Sequence, residues 1–402
     1  MGPLSGFRVV DMGWVWAGAI PGQLLADMGA EVIKVESRRR LDYMRQGKPL
    51  IGTNPDPEQN PWFHALNRNK KSITVNLGSP RGVELLREVV RRSDVLLENF
   101  TPGFMHRIGF DYAALAEIHP RLVMLSLSGV GQSGPLREMP AYAPLMAGMS
   151  GLDSLVGYPG ERVLGIQQPY ADSNAGVWAA FAVLAALFHR EQTGEGQHVD
   201  VSELEAGVSV IGEAIVEYGL TGVVPAPCGN DRRGYAPHGH YPCAGVDVWI
   251  AISVASDAEW AGCCRALETV ELGAAPRFAT AEGRWEHRRE LDREIARHTR
   301  KFEAMPLMHR LQAEHVAAAP IMGPAALAED PHLRARGAFA EVHHPVLGRE
   351  LVYGPAWTLS GTPGGVDRHA PLLGEHNAEI FGSLLGLTAD EVAALEREGV
   401  LS

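Results

Sequence analysis

The sequence is short of positive charge: 36 Lys and Arg stand against 48 Asp and Glu, a formal net charge of −12. That deficit argues against nucleic acid or an anionic membrane as the main partner. Any anionic ligand must then be held by a local basic patch. Cysteine is scarce too. Cys228, Cys243, Cys263 and Cys264 are all there is, with no CxxC pair and no zinc-ligand spacing, so a reducing, cytoplasmic compartment is expected and no metal is. The opening MGPLSGFRVVDMG lacks the basic and apolar regions of a secretory signal. Gly6 stands where a myristoylation pattern needs Ser or Thr. The longest apolar run, Ala175 to Phe188, is shorter than the roughly 20 residues a membrane span requires. Its flanks, Asp172 and His189-Arg190-Glu191, predict a core helix. HExxH, GxSxG and a P-loop are all missing, which removes support for a zinc protease, a hydrolase serine and a P-loop nucleotidase.

What is present is an alternation. Apolar runs at 7–12, 31–36, 71–77, 93–100 and 121–128 read as strands. Helical patterns fall between them, at 17–30 with Pro21 expected in the first turn, and at 80–93 with Ser79 as N-cap. That order predicts a parallel sheet covered by helices on both faces. Gly and Pro cluster over 129–165, which predicts a loop-rich connection. A helix follows Asp172 and stops at Gly194. A strand at 197–202 leads into a helix over 203–219. A domain boundary is expected near 225, followed by a smaller unit to about 330 with a strand at VWIAIS and a charged helical stretch over 285–312. The C-terminal LTADEVAALEREGVL opens on a capping box, Thr388 to Glu391.

Several motifs carry less than they suggest. Gly129, Gly131 and Gly134 spell GxGxxG after a strand, but Pro135 follows and no helix pattern does, so a nicotinamide site is not expected. His238 with His240, and His343 with His344, lack the carboxylate partners of a metal site. The run Ser37-Arg38-Arg39-Arg40 reads as a solvated loop or as the local phosphate site that the net charge demands. Asp172 reads as an N-cap, whose hydrogen bonds and helix dipole keep a carboxylate ionised. An ionised carboxylate can also attack a thioester, so capping and chemistry are compatible.

Taken together and in order, PLSGFRVVDMG, AGAIPGQLLADMGAEVIKVE, NRNKKSITVNLGSPRG, DVLLENFTPGFMHRIGFDY, LSGVGQSGP, YADSNAGVWAAFAVLAALFHREQTGEGQHVDVSELEA and APLLGEHNAEI resemble the family III (CaiB/BaiF) CoA-transferases over nearly the whole chain. The resemblance implies an α/β fold. Its large Rossmann-like domain, 1–200 completed by about 345–402, would join through a linker helix at 201–225 to a smaller α+β domain at 226–330, and 331–402 would return to the large domain. It implies an interlocked homodimer, with a hetero-oligomer left open.

It also implies transfer of CoA from an acyl-CoA donor such as succinyl-CoA to an organic carboxylic acid, with CoA a substrate and no permanently bound cofactor. Asp172 would be the nucleophile. Val15, Trp16 and Ala17 would lie at the thiol end of CoA. Arg38, Val75, Asn76, Leu77, Gly78, Asn99, Phe100, Thr101, Arg107, Met139 and Tyr142 would bind the rest. Trp62, His238 and Tyr241 are candidate substrate contacts. Relatives acting on very small acids carry glutamine where this chain has Trp16, which suggests a bulkier acyl group. The glycine-rich flap of formyl-CoA transferase is missing. A racemase or an intramolecular CoA-shifting isomerase of the same family is the alternative. MPAYAPL, which matches the racemase histidine region, has no histidine, and this favours transfer.

Overall fold

The computed structural model describes residues 2–48, 50–161 and 163–402. It divides into two compact units: 1–153 with 165–224 and 331–402, and 154–164 with 225–330. The two helices after residue 202 therefore belong to the large unit, and a short segment before Asp172 to the small one.

The large unit is built on six parallel strands: β1 (Arg8–Asp11), β2 (Glu31–Glu36), β3 (Lys71–Thr74), β4 (Val95–Glu98), β5 (Val123–Ser128) and β6 (His198–Ser202), in the order β3-β2-β1-β4-β5-β6. The connecting helices are α1 (Val15–Asp27), α2 (Pro61–Asn67), α3 (Pro80–Arg91), α4 (Phe104–Arg107), α5 (Tyr112–Ile118), α6 (Ala143–Met149), α7 (Tyr170–Thr193) and α8 (Glu203–Val210). Side chains alternate across a strand, and both sheet faces are apolar. Val10, Ile33, Leu96 and Met124 pack with Leu85, Leu86, Val89 and Val90 of α3. Val9, Val32, Val95, Leu97 and Leu125 pack with Leu25 and Ala26 of α1 and Ala175, Ala179 and Val183 of α7.

By length and composition α7 could cross a membrane, being longer than its apolar core suggests; half of its apolar window is buried in this fold. Its approach to α1 needs Gly176, where a Cβ would stand 2.7 Å from the side chain of Ile20. The outer edge of β3 is closed by the C-terminal tail. His376 Nδ1 accepts from the Ser72 N–H and Asn377 Oδ1 from the Thr74 N–H, at 3.2 and 2.8 Å. A hairpin, β10 (Phe339–His344) with β11 (Gly348–Tyr353), completes this unit. The small unit holds the antiparallel sheet β7 (His238–Pro242), β8 (Trp249–Ser253) and β9 (Ala317–Pro320).

Several expectations shift. α1 begins at Val15, so Pro21 lies in its second turn and leaves the Ala17 carbonyl without its helical donor. Ser79 precedes α3 but makes no side-chain capping bond; Pro80 in the first turn needs no partner. The loop-rich segment contains α6. The helix expected over 203–219 breaks at Ile211 into α8 and a second helix, Gly212–Thr221, and the charged stretch becomes three helices, Ala281–Glu286, Arg288–Thr299 and Ala304–Ala313. The capping box at Thr388 and Glu391 forms as read.

Beneath the carboxyl ends of β1–β3 lies a buried ionic layer. Lys70 bonds Asp11, Lys34 bonds Asp42 and Arg45 bonds Glu36, at 2.8, 3.4 and 2.7 Å. Three carboxylates are thus met by three cations, as burial requires.

Candidate functional site

The strand order reverses between β1 and β4. In such sheets the crevice beyond the strand carboxyl ends at that point is where ligands bind. The turn leaving β1 is tightly held there. The Gly13 N–H donates to Asp11 (2.8 Å), and Lys34 Nζ donates to the Gly13 carbonyl (2.7 Å). Asn99, just past β4, accepts from the Trp14 N–H (2.8 Å) and donates back to the Trp14 carbonyl (2.9 Å). The Val15 N–H is shared by both Asp42 oxygens, at 3.2 and 3.3 Å. These bonds hold Val15 at φ +59°, a left-handed conformation that costs a β-branched residue about 1–3 kcal/mol. Such strain marks a turn shaped for something other than stability. At Gly18 a Cβ would lie 2.5 Å from the Asn99 side chain, so only glycine lets α1 sit this close.

Two adjoining cavities open at this crevice. One, of about 440 Å³, is lined by Ser37, Arg39, Arg40, Val75 to Gly78, Phe104 and Arg107 among others. The second, of about 290 Å³, runs past Asn99, Met139 and Tyr142 to Asp172 and Glu203. Trp14, Arg40, Phe100 and Thr101 line both. Arg40 stacks over the Trp14 ring at 5.4 Å, and Trp14 meets Phe100 edge-on at 6.1 Å. The result is a basic, aromatic-floored channel that ends in carboxyls.

Asp172 is not the N-cap. α7 starts at Tyr170 after Pro169, so Asp172 lies within the first turn and makes no capping bond. Its carboxyl turns instead to the Ala17 N–H and to Glu203, the first residue of α8. Asn174 Nδ2 donates to the Ala206 carbonyl (2.7 Å) and the Leu204 N–H to the Gly129 carbonyl (2.8 Å), which fixes the two helix starts side by side. Both carboxyls are buried, and burial raises both pKa values. Glu203 is pushed up to about 9, by burial first and then by the Asp172 bond and charge. Asp172 is raised by burial and held back by the hydrogen bonds from Glu203 and Ala17. Glu203 Oε1 finds no N–H or O–H donor among the described residues. An ionised carboxylate would be stranded there, whereas a protonated one donates to Asp172. At neutral pH the pair therefore shares one proton, held by Glu203.

Of the residues singled out in the sequence, Val15, Ala17, Asn99, Phe100, Thr101, Met139, Tyr142 and Asp172 line the second cavity, and Val75, Asn76, Leu77, Gly78 and Arg107 line the first. Trp16 does not line either. It packs against the cluster of Ile20, Met44, Phe63 and Leu66, and Trp14 takes the cavity position. Arg38 donates to the Leu373 carbonyl (2.9 Å) and pins the C-terminal tail, leaving the cavity wall to Arg39 and Arg40. Trp62 is exposed at the start of α2, away from both linings. His238 and Tyr241 belong to the small unit. His238 bonds Ser253 Oγ (2.9 Å) beside a basin of about 840 Å³, and burial lowers its pKa. Tyr241 is buried in that unit's core and donates to Asp292 (2.7 Å). Glu203 was not foreseen as a site residue, and Arg40 was read only as part of the basic run from Ser37 to Arg40. Within that run Arg38 was singled out instead, and Glu203 carries no local signal.

The fold and the motifs agree with known proteins. The model of CoA-transferase family III matches residues 4–377. The chain is 38% identical over 399 residues to the succinyl-CoA–D-citramalate CoA-transferase of Chloroflexus aurantiacus, covering 99% of this chain and 98% of that protein. It is 32% identical over 390 residues to the succinate–glutarate CoA-transferase of Agrobacterium fabrum, covering 95% and 96%. A crystal structure of a CaiB/BaiF family protein from Brucella suis superposes with a TM-score of 0.88 at 32% identity, covering 95% of this chain and 99% of that one. The chain belongs to CoA-transferase family III.

Proposed function

We propose that this protein transfers CoA from an acyl-CoA, succinyl-CoA foremost, to a dicarboxylic acid, with Asp172 as the nucleophile. The observation that carries the reading is the buried Asp172–Glu203 pair at the closed end of a channel whose other end is lined by Arg39, Arg40 and Arg107. The cations suit the phosphates of CoA, and the aromatic floor suits the pantetheine arm. Relatives named for succinate, glutarate and citramalate support the choice of acid.

In this reading Asp172 attacks the donor thioester and CoA leaves as thiolate, giving a mixed anhydride. The thiolate then attacks the aspartyl carbonyl and releases the donor acid, giving an aspartyl-CoA thioester. The acceptor carboxylate attacks that carbonyl, and the thiolate released takes up the acceptor acyl group from the second anhydride. Each intermediate is activated, so no ATP is needed. The burial of Asp172 protects it from water.

No histidine is among the described residues lining the Asp172 cavity, which favours transfer over two-base racemisation. We also propose a homodimer. Trp178, Phe181 and Phe188 of α7 and Leu220 of the Gly212–Thr221 helix stand exposed in the single chain, and clustered exposed apolar side chains mark interaction surfaces. Incubation with succinyl-CoA and hydroxylamine, followed by peptide mapping, is expected to mark Asp172. Full transferase activity in Asp172→Ala refutes the proposal, and solvent deuterium appearing at the acyl α-carbon without any acceptor acid would favour the racemase. Light scattering is expected to give twice the chain mass.

A further inference from the structure

Glu203 has no assigned role, yet it is the residue most closely engaged with Asp172. It starts α8 directly after β6 and is almost fully buried. It lines the same cavity as Asp172 and shares a hydrogen bond with it. The other titratable or charged groups lining that cavity are Arg40, Tyr43, Arg137 and Tyr142. A second buried carboxyl there is costly unless it does something, and an apolar residue would fill the space more cheaply.

We infer that Glu203 is a hydrogen-bond donor to the oxyanion that forms on the aspartyl carbonyl of Asp172, with the Ala17 N–H as the second donor. The inference rests on Asp172 being the nucleophile. When Asp172 attacks the donor, one of its oxygens forms the new bond to the acyl carbon and the other becomes a carbonyl oxygen. In two later steps the aspartyl carbon is itself attacked. CoA thiolate forms a C–S bond there, the carbonyl π pair moves onto the oxygen, and collapse breaks the C–O bond and expels the donor carboxylate. The acceptor carboxylate then forms a C–O bond at the same carbon, and collapse breaks the C–S bond and expels thiolate. In both steps negative charge builds on an oxygen of the carboxyl to which Glu203 and Ala17 already donate. Preorganised donors aimed at developing charge are what such steps need. No proton is consumed, because Glu203 keeps its proton throughout.

The test compares Glu203→Met and Glu203→Gln in the full chain. Glu203→Met removes the donor. It is expected to lower kcat about 10²–10³-fold, the range for loss of one oxyanion donor, with CoA binding unchanged. Thiol release on mixing with succinyl-CoA should persist, because that step charges the acyl carbonyl, while release of the donor acid becomes slow. Glu203→Gln keeps an N–H donor, so kcat should stay within about tenfold of the parent, and the fall in activity as pH rises toward 9 should disappear. Wild-type kcat in Glu203→Met, or an equal loss in both variants, would overturn the inference. Hydroxylamine trapping in the parent enzyme separates the two levels. If Asp172 is labelled and Glu203→Met is fully active, only this inference fails; if Asp172 is never labelled, the nucleophile reading fails and takes it along.

Discussion

Lys70→Met tests the buried ionic layer beneath the site. Lys70 Nζ is fully buried and donates to Asp11 (2.8 Å), the Ala19 carbonyl (2.8 Å) and Asn67 Oδ1 (3.0 Å). Burial pulls its pKa down to about 8 against the pull of Asp11, so desolvation outweighs attraction at Lys70. Breaking the pair is another matter. Asp11, itself fully buried, would keep only the Gly13 N–H, and loss of one partner from a buried pair typically costs 3–5 kcal/mol.

Urea unfolding of Lys70→Met is therefore expected to show a loss of about 3–5 kcal/mol. The double variant Asp11→Leu, Lys70→Met should recover most of the loss. Because Asp11 also holds Gly13, CoA affinity should fall in the single variant. A loss under about 1 kcal/mol, the scale of a surface pair, would refute the reasoning.

Arg40→Ala and Arg107→Ala are each expected to weaken CoA binding by about tenfold, the scale of one charge-assisted bond, with the effect fading at high salt in a titration. Transfer activity should also fall on the acid side at a pH above the ordinary aspartate range, because burial raises Asp172 and only its ionised form attacks; a pH–rate profile checks this. Gly176→Val forces a side chain against Ile20 at 2.7 Å and should cost about 1–3 kcal/mol by thermal melting. His344 is buried, and burial and the neighbouring His64 press its pKa down to about 4. The unfolded chain then binds the proton first, so stability should drain away as pH falls from about 6.5 toward 4. Acid melts of His344→Phe should show a smaller loss.

The alternation of apolar runs and helices made the parallel sheet legible, because each strand is buried on both faces and reads as unbroken apolar sequence. The strand order was not legible: it depends on which side each crossover takes, and no local residue records that. The site divides the same way. Most of the channel lining was readable from its motifs, since those segments leave the carboxyl ends of adjacent strands and converge on the crevice. Errors came where one residue's direction decides. Val15 at φ +59° reverses the expected facing of its neighbours, so Trp14 meets the cavity and Trp16 the core. A β-branched residue is the last place to expect that conformation. Arg38 was drawn from the cavity by the Leu373 carbonyl of a tail that arrives from 335 residues away.

The same reasoning separates Asp172 from Glu203. A helix starting at Tyr170 rather than after Asp172 frees a carboxylate from capping, and that needs only a shift of a few residues along the chain. Bringing Glu203 beside it needs α7 to cross the sheet, β6 to pair with β5, and α8 to start where the Ala206 carbonyl can take the Asn174 amide. The proposed nucleophile is a local feature; its partner is a product of topology. That is why one was visible in the sequence and the other only in the fold.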